Sequence, residues 1–247
     1  MWLKPLRWLA FALALFLVLG GYAGDELQSH EPIYISGNEG FTPANGVVSG
    51  SGTEEDPYII EGWEIDVTGS PSGISYGIYI EKTDAYFIIR NSKIHGALAQ
   101  AIKLDQVKNG TIMGCELMDN TVGIWLAGST ANKLVRNRLQ KNFAGIYLFF
   151  STKNEISANT IELAATTGIL ARESADNLFY HNNFIENGQN ASDDGTNRWD
   201  DGKEGNYWSD YAGADADGDG IGDTPYEIPG GENRDRYPLM EPFSEEE

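Results

Sequence analysis

The chain has 247 residues, with 37 Asp and Glu against 17 Lys and Arg, for a net charge of −20 at neutral pH. So acidic a surface repels nucleic acid and anionic membranes and attracts cations, which excludes a nucleic-acid partner. The single cysteine, Cys115, allows no intrachain disulfide, so stability must come from packing.

In chain order, residues 1–23 read as a signal peptide. Lys4 and Arg7 precede an uncharged apolar run from Trp8 to Leu19, and Gly21-Tyr22-Ala23 supplies small residues before a cut at Gly24. An uncleaved anchor is the alternative, although a span wants roughly 20 apolar residues. Cleavage leaves no stable membrane span and places the protein outside the cytoplasm, secreted or at the surface, or in a periplasm where the host has one. Residues 24–66 form an N-terminal segment and cap. Within it Phe41 to Asp66 carries a Gly/Ser-rich loop before Tyr58-Ile59-Ile60 and Trp63-Glu64-Ile65, an irregular first coil that covers the open edge of a stack.

Residues 67–190 are a repeat. Copies begin at Gly77, Ala101, Gly123, Gly145 and Gly168, with offsets of 24, 22, 22 and 23 residues. Each copy holds two alternating segments. The first carries Ile78/Ile80, Ile102/Leu104, Ile124/Leu126, Ile146/Leu148 and Ile169/Ala171. The second aligns Ile89, Ile112, Leu134, Ile156 and Phe179, then Ile94, Leu117, Leu139, Ile161 and Phe184. Alternation with period two buries one face of each segment, and a coil that cannot bury its apolar face alone must stack on copies of itself. The fold class is therefore all-β, a right-handed single-stranded parallel β-helix. Asn132, Asn154 and Asn177 recur once per turn, as do Ser92, Cys115, Asn137, Asn159 and Asn182. Stacked Asn at corners can bond neighbouring backbone and tolerate left-handed φ/ψ, and Cys115 reads as a small filler of that ladder.

Residues 191–247 form an aromatic, Asp-rich C-terminal cap with an acidic tail. Tyr207, Trp208, Tyr211, Tyr226 and Tyr237 plug the last open coil, and Pro225, Pro229 and Pro238 prevent a further central strand. The run Asp215-Ala-Asp217-Gly-Asp219-Gly-Ile221-Gly-Asp223 has calcium-loop spacing, with three carboxylates at positions 1, 3 and 5, the Ile221 carbonyl at 7 and Asp223 at 9. Position 12 is Tyr226 rather than Glu and no helices flank the loop, so the EF-hand is excluded in favour of a surface-protein type of loop. Asp235 is a candidate further ligand. Calcium is the expected cofactor, in a structural role.

The opening GVVSGSGTEEDPYIIEGWEI, the G-I-x-[IL] coils and the closing GNYWSDYAGADADGDGIGDTPYEIPGGENRDRYPLM resemble the NosD-like β-helix proteins. The resemblance spans about residues 33–240. It implies the β-helix fold, a broad association with carbohydrate binding and sugar hydrolysis, and, through one member, copper delivery to nitrous oxide reductase. Fold membership does not by itself transfer function. Copper is not expected here: Met113, Cys115 and Met118 are close in sequence, but strand alternation sends the two thioethers outward and Cys115 inward.

Outward positions of the first segment form a column, Tyr79, Lys103, Trp125, Tyr147 and Leu170, beside Glu81, Asp105, Ala127, Phe149 and Arg172. Tyr79, Trp125 and Tyr147 make a platform suited to sugar rings, or a ladder that only packs. Glu81 and Asp105 occupy equivalent places on adjacent coils and form an acid–base pair in a lyase or hydrolase reading, with Lys103 and Arg172 to neutralise an acidic sugar. His95, in Ile-His-Gly, does not match the Gly-His-Gly element of β-helix polygalacturonases. The expected function is a non-catalytic module that binds an extracellular glycan or cell-surface component and is stabilised by calcium. A polysaccharide lyase or hydrolase is the first alternative and copper handling the second. Sequons at Asn109 and Asn190 are compatible with glycosylation.

Overall fold

The computed structural model describes residues 26–70 and 73–244; the segment read as a signal peptide lies outside them. Three long sheets wrap one interior. Sheet I holds seven strands, from Ile33–Ser36 through Ile78–Thr83, Gln100–Val107, Val122–Ala127, Ala144–Phe149 and Thr167–Arg172 to Gln189–Asp193. Sheets II and III hold eight strands each. All pairings along them are parallel apart from Val47–Ser49 against Tyr58–Glu61 at the start of sheet II. The protein is a parallel β-solenoid.

The repeat register is that of the sequence. Ile33, Ile78, Ile102, Ile124, Ile146, Ile169 and Ala191 lie on successive rungs of sheet I, and all are buried. Ile89, Ile112, Leu134, Ile156 and Phe179 do the same in sheet II, and Ile94, Leu117, Leu139, Ile161 and Phe184 in sheet III. Burying each such side chain contributes roughly 1.5–3 kcal/mol, so this continuous column is the main stabilising term. The recurrent Gly before Ile has a steric cause: a Cβ at Gly145 would meet the Gly168 carbonyl and the Ile161 side chain.

The second segment of each repeat is two strands, one in sheet II and one in sheet III, with a corner between them. Gly110–Met113 and Glu116–Met118 are an example. Ladder residues occupy the corner, but the asparagines themselves are not left-handed, contrary to the sequence-based expectation. The preceding residue is: Arg136, Ala158 and His181 have φ of 54°, 55° and 57°. The reason is the amide geometry. Asn159 Nδ2 donates to Ser157 O and Asn182 Nδ2 to Tyr180 O, each spanning the left-handed residue between. These bonds offset the roughly 1–2 kcal/mol that left-handed backbone costs a non-glycine residue. Two further ladders run up other corners, Asn120 to Asn142 and Ser129 through Ser151 to Ser174.

Cys115 fills the asparagine position with a poorer group. Its Sγ lies 3.8 Å from Ile89 O and 3.6 Å from Met113 O, the two carbonyls that an Asn amide would bond at this rung. Cys115→Asn is therefore expected to raise stability by about 1 kcal/mol, the net worth of a buried hydrogen bond, as read by urea unfolding.

Both ends of the interior are covered by aromatics. Phe41 stacks on Tyr58 at 4.7 Å beside the first coil. At the far end Trp199 stacks on Phe179 at 4.2 Å, Trp208 on Phe184 at 4.3 Å and Tyr226 on Trp208 at 4.1 Å, which prolongs the core column.

The amide ladders also have a direction. Each Asn accepts from the rung before and donates to the rung after, as Asn137, Asn159, Asn182 and Asn206 do in turn. Their last donors meet carboxylates. Asn206 N donates to Asp235 Oδ2 at 2.7 Å, joined by Trp208 Nε1 at 2.9 Å, while Tyr237 N reaches Oδ1 at 3.0 Å. Asn197 Nδ2 and Trp199 Nε1 end likewise on Asp193.

Candidate functional site

The outer wall of sheet I is where parallel pairing sets candidate residues side by side, one rung, about 4.8 Å, apart. Tyr34, Tyr79, Lys103, Trp125, Tyr147 and Leu170 form one column, and Ser36, Glu81, Asp105, Ala127, Phe149 and Arg172 the next. The columns divide into a polar upper part and an aromatic lower part.

In the upper part, Glu81 is fully engaged. The Tyr34 hydroxyl donates to its Oε1 at 2.8 Å, Tyr79 to Oε2 at 2.8 Å and Ser36 to Oε1 at 3.1 Å. These hydroxyls, that of Tyr34 foremost, hold the Glu81 carboxyl down at about 2. Tyr79 also reaches Asp105 Oδ2 at 3.3 Å and thereby bridges the two acids. Burial first, then the bond to Glu81, pushes the Tyr79 phenol up, so it stays protonated and donating. Lys103 Nζ pairs with Asp105 at 2.9 Å and lies 4.4 Å above the Tyr79 ring. The structure thus brings Glu81, Asp105, Lys103 and Tyr79 into one network. Hydrolysis of a glycosidic bond needs a carboxylic acid with a raised pKa as proton donor, and Glu81 is displaced in the opposite direction.

In the lower part, Trp125 stacks on Phe149 at 5.3 Å and meets the edge of Tyr147 at 5.6 Å. Its indole N–H is buried without an acceptor, so the ring serves here through its apolar area. Phe150, next to Phe149, is 62% exposed and has φ of 50°. A bulky aromatic in left-handed backbone with most of its ring in water carries two costs. Sequence reasoning missed Phe150 because corner positions were not separable from strands, and missed Tyr34 because the first coil is irregular. The identity of Phe150 in a column otherwise formed by Lys82, Gln106, Gly128 and Glu173 is the signal that would have found it.

In the C-terminal loop, ligand atoms of Asp215, Asp217 and Asp219 lie within 4.8 Å of one another. Gly218 N and Gly220 N donate to Asp215 at 2.7 and 2.9 Å, and the Gly220 bond leads in holding its carboxyl low. Asp217 is raised by the negative charge of Asp219. Asp223 stands outside the trio, its Oδ2 accepting from Ala216 N at 2.8 Å. Ile221 N donates to Asp219, and Ile221 is bridged to Leu239. Asp235 is not a ligand of this loop: it is fully buried at the end of the asparagine ladder, where backbone and indole donors claim both oxygens.

Copper does not fit the described residues. Cys115 is 1% exposed, and burial pushes its thiol up to about 12, far from the thiolate that binds metal. Met113 and Met118 lie on the opposite side of the wall from it, at positions that alternate with buried Ile112 and Leu117. His30 stacks on Trp63, His95 faces Glu64 and Asp66, and His181 bonds Glu204, three separate settings. The Asp trio offers only hard oxygen, which suits calcium rather than copper.

The sequons are also constrained. Asn190 is buried with Nδ2 donating to Asp210, and Asn109 Nδ2 donates to Asp84 O. Among the described residues no helix is long and apolar enough to cross a membrane.

Among solved structures, a variant of the periplasmic alginate epimerase AlgG superposes with a TM-score of 0.50 at 23% identity, over 55% of this chain and 33% of that one. Pectate lyase Pel9A gives 0.52 at 12% identity over 74% and 52%. Such identities show a shared fold, and the chain spans a third to about half the length of these enzymes. No curated protein sequence matches it significantly. Residues 21–213, most of the chain, match the family described as periplasmic copper-binding protein (NosD), and the protein belongs to that family.

Proposed function

We propose that this protein is a non-catalytic extracytoplasmic module that binds glycan on the outer wall of sheet I, with calcium steadying its C-terminal cap. The observation that carries the reading is the aromatic group of Trp125, Tyr147, Phe149 and the exposed Phe150 on the outer wall of a parallel sheet. Rings fixed in this way offer apolar faces to sugar rings at little entropic cost. The superposed solenoids include an epimerase of alginate and a lyase of pectate, which agrees with polysaccharide as the ligand class. The low carboxyl of Glu81 does not suit the proton-donor role in hydrolysis.

A glycan array with the wild type, Trp125→Ala and Phe150→Ala is the test. Each substitution is expected to weaken binding about tenfold or more, the worth of one aromatic contact. Undiminished binding by both variants would remove this wall as the site. Calcium bound at Asp215, Asp217 and Asp219 contributes about 2.7 kcal/mol at a hundredfold excess over its Kd. For a domain of this size that is some 5–10 °C in Tm. Chelation is expected to lower Tm by that amount, and Asp217→Asn to abolish the difference; equal melting with and without chelator sinks the calcium reading.

A further inference from the structure

Above the aromatic group the same wall turns into a notch of about 490 Å³ lined by Asn38, Lys82, Thr83, Asp84, Gln106 and Lys108. Its chemistry departs from the rest of an acidic molecule. Two lysines from adjacent coils line the notch together with one carboxylate, Asp84, whose Oδ1 accepts from Asn38 Nδ2 at 3.0 Å. Asn38 Oδ1 in turn accepts from the Thr83 hydroxyl, so one side of the notch is a closed network. Lys82 leans on Glu81 at 3.3 Å with 60% of its side chain in water, and Lys108 makes no ion pair among the described residues. Gln106 projects from a left-handed position between them, at φ of 56°. Beside the remaining lone pairs of Asp84, the groups left for a ligand are two ammoniums, one of them leaning on Glu81, and the Gln106 amide.

The notch does not stand alone. The strand column beside it runs from Asp105 through Ala127 to Phe149, and Gln106, Gly128 and Phe150 are the residues that follow these three at the corner. The intervening rung carries only Ala127 and Gly128, and a Cβ at Gly128 would touch nothing closer than Gln106 Cγ at 3.6 Å. A low shelf thus joins donors to aromatic rings over two rungs, about 10 Å. A sugar chain laid across the shelf would rest a ring on Phe149 and Phe150 and hold a neighbouring substituent at Lys82, Gln106 and Lys108.

We propose that this notch is a carboxylate subsite and that the glycan bound is one built of uronic acid residues. The proposal rests on the glycan-binding reading of the wall and adds the charge of the ligand. A carboxylate satisfies ammonium and amide donors together, whereas a neutral sugar leaves the ammoniums with a hydroxyl in exchange for water. The long-range repulsion of the −20 charge is screened beyond roughly 8–10 Å in physiological salt, so contact groups decide the preference.

The experiment compares short oligogalacturonates with their fully methyl-esterified forms, by calorimetry on the full chain. The acid form is expected to bind about tenfold or more tightly, the effect of one charge-assisted hydrogen bond. Lys108→Gln, and Lys82→Gln with it, is expected to erase the preference while leaving Tm and the affinity for the ester unchanged. Equal binding of acid and ester by the wild type overturns the subsite and leaves the glycan reading standing. Equal binding of a sulfated oligosaccharide overturns the assignment to carboxylate. Binding of neither acid nor ester, nor of any glycan on the array, sinks both.

Discussion

Asp235→Ala is expected to cost roughly 3–5 kcal/mol, because it strands buried donors that have no other acceptor. At this size the loss lowers Tm by about 6–20 °C. Asn206 Nδ2 keeps the carbonyls of Trp199 and Phe179; the donors left without a partner are Asn206 N, Trp208 Nε1 and Tyr237 N. They cannot turn to water, since Asn206, Trp208 and Asp235 are all buried. The ladder behind them delivers its amide donors in one direction, so its end carries partial positive charge and calls for an anion, as a helix N-terminus does. Chemical denaturation of the wild type and variant at neutral pH reads the difference; a loss under 1 kcal/mol would refute the terminal role.

The same residue gives a pH dependence of defined sign. Burial pushes the Asp235 carboxyl up to about 6 against the pull of its N–H donors. The folded chain then binds a proton that the unfolded chain lacks between about pH 4 and 6, so this residue's contribution is full below that window and is lost as pH rises through it. Glu81 works the other way: with its carboxyl held at about 2, its contribution is present above about 4.5 and lost as pH falls through 2. Stability is therefore expected to be higher near pH 5 than near pH 7, and Asp235→Asn to flatten that rise while Glu81→Gln leaves it intact. Tm measured across the range checks both.

Asn159→Ala is the second large effect, roughly 3–5 kcal/mol from several buried partners at once. Asn159 Oδ1 accepts from Asn137 N and Nδ2, each at 2.9 Å, and Nδ2 donates to Leu134 O, Ser157 O and Asn182 Oδ1. If its amide also compensates the left-handed Ala158, then Ala158→Gly should recover more stability in the Asn159→Ala background than in the wild type. A double-mutant cycle by urea unfolding measures that coupling, and additivity would show the two residues to be independent.

The repeat was legible because stacking demands the same residue type at the same phase on every rung: Ile102, Ile124 and Ile146 pair as their offsets predict. The corner inside the second segment was visible in principle. Ile112 and Leu117 are both buried yet five residues apart, an odd spacing that strict alternation forbids. The Tyr79, Trp125 and Tyr147 column was legible for the same periodic reason, whereas its partners were not. Tyr34 comes from an irregular coil, Phe150 from a corner, and the bridging of Glu81 and Asp105 by Tyr79 depends on rotamers that no spacing encodes. Asp235 lay beyond reach because its acid character fits a cation as well as it fits four N–H donors. Only the antiparallel pairing of Tyr226–Glu227 with Arg234–Asp235 directs it inward.

The one-way run of the amide ladders has a consequence for how long such a protein can be. From Asn137 to Asn182 every rung of the ladder passes upward the same kind of bond that it receives from below, so nothing within that run specifies a total number of turns. Length is fixed only where a carboxylate interrupts the series, and a duplicated 22-residue unit such as 123–144 would find its partners already in place. Growth by internal copying would then extend the outer surface by about 4.8 Å per unit without redesign of either terminus.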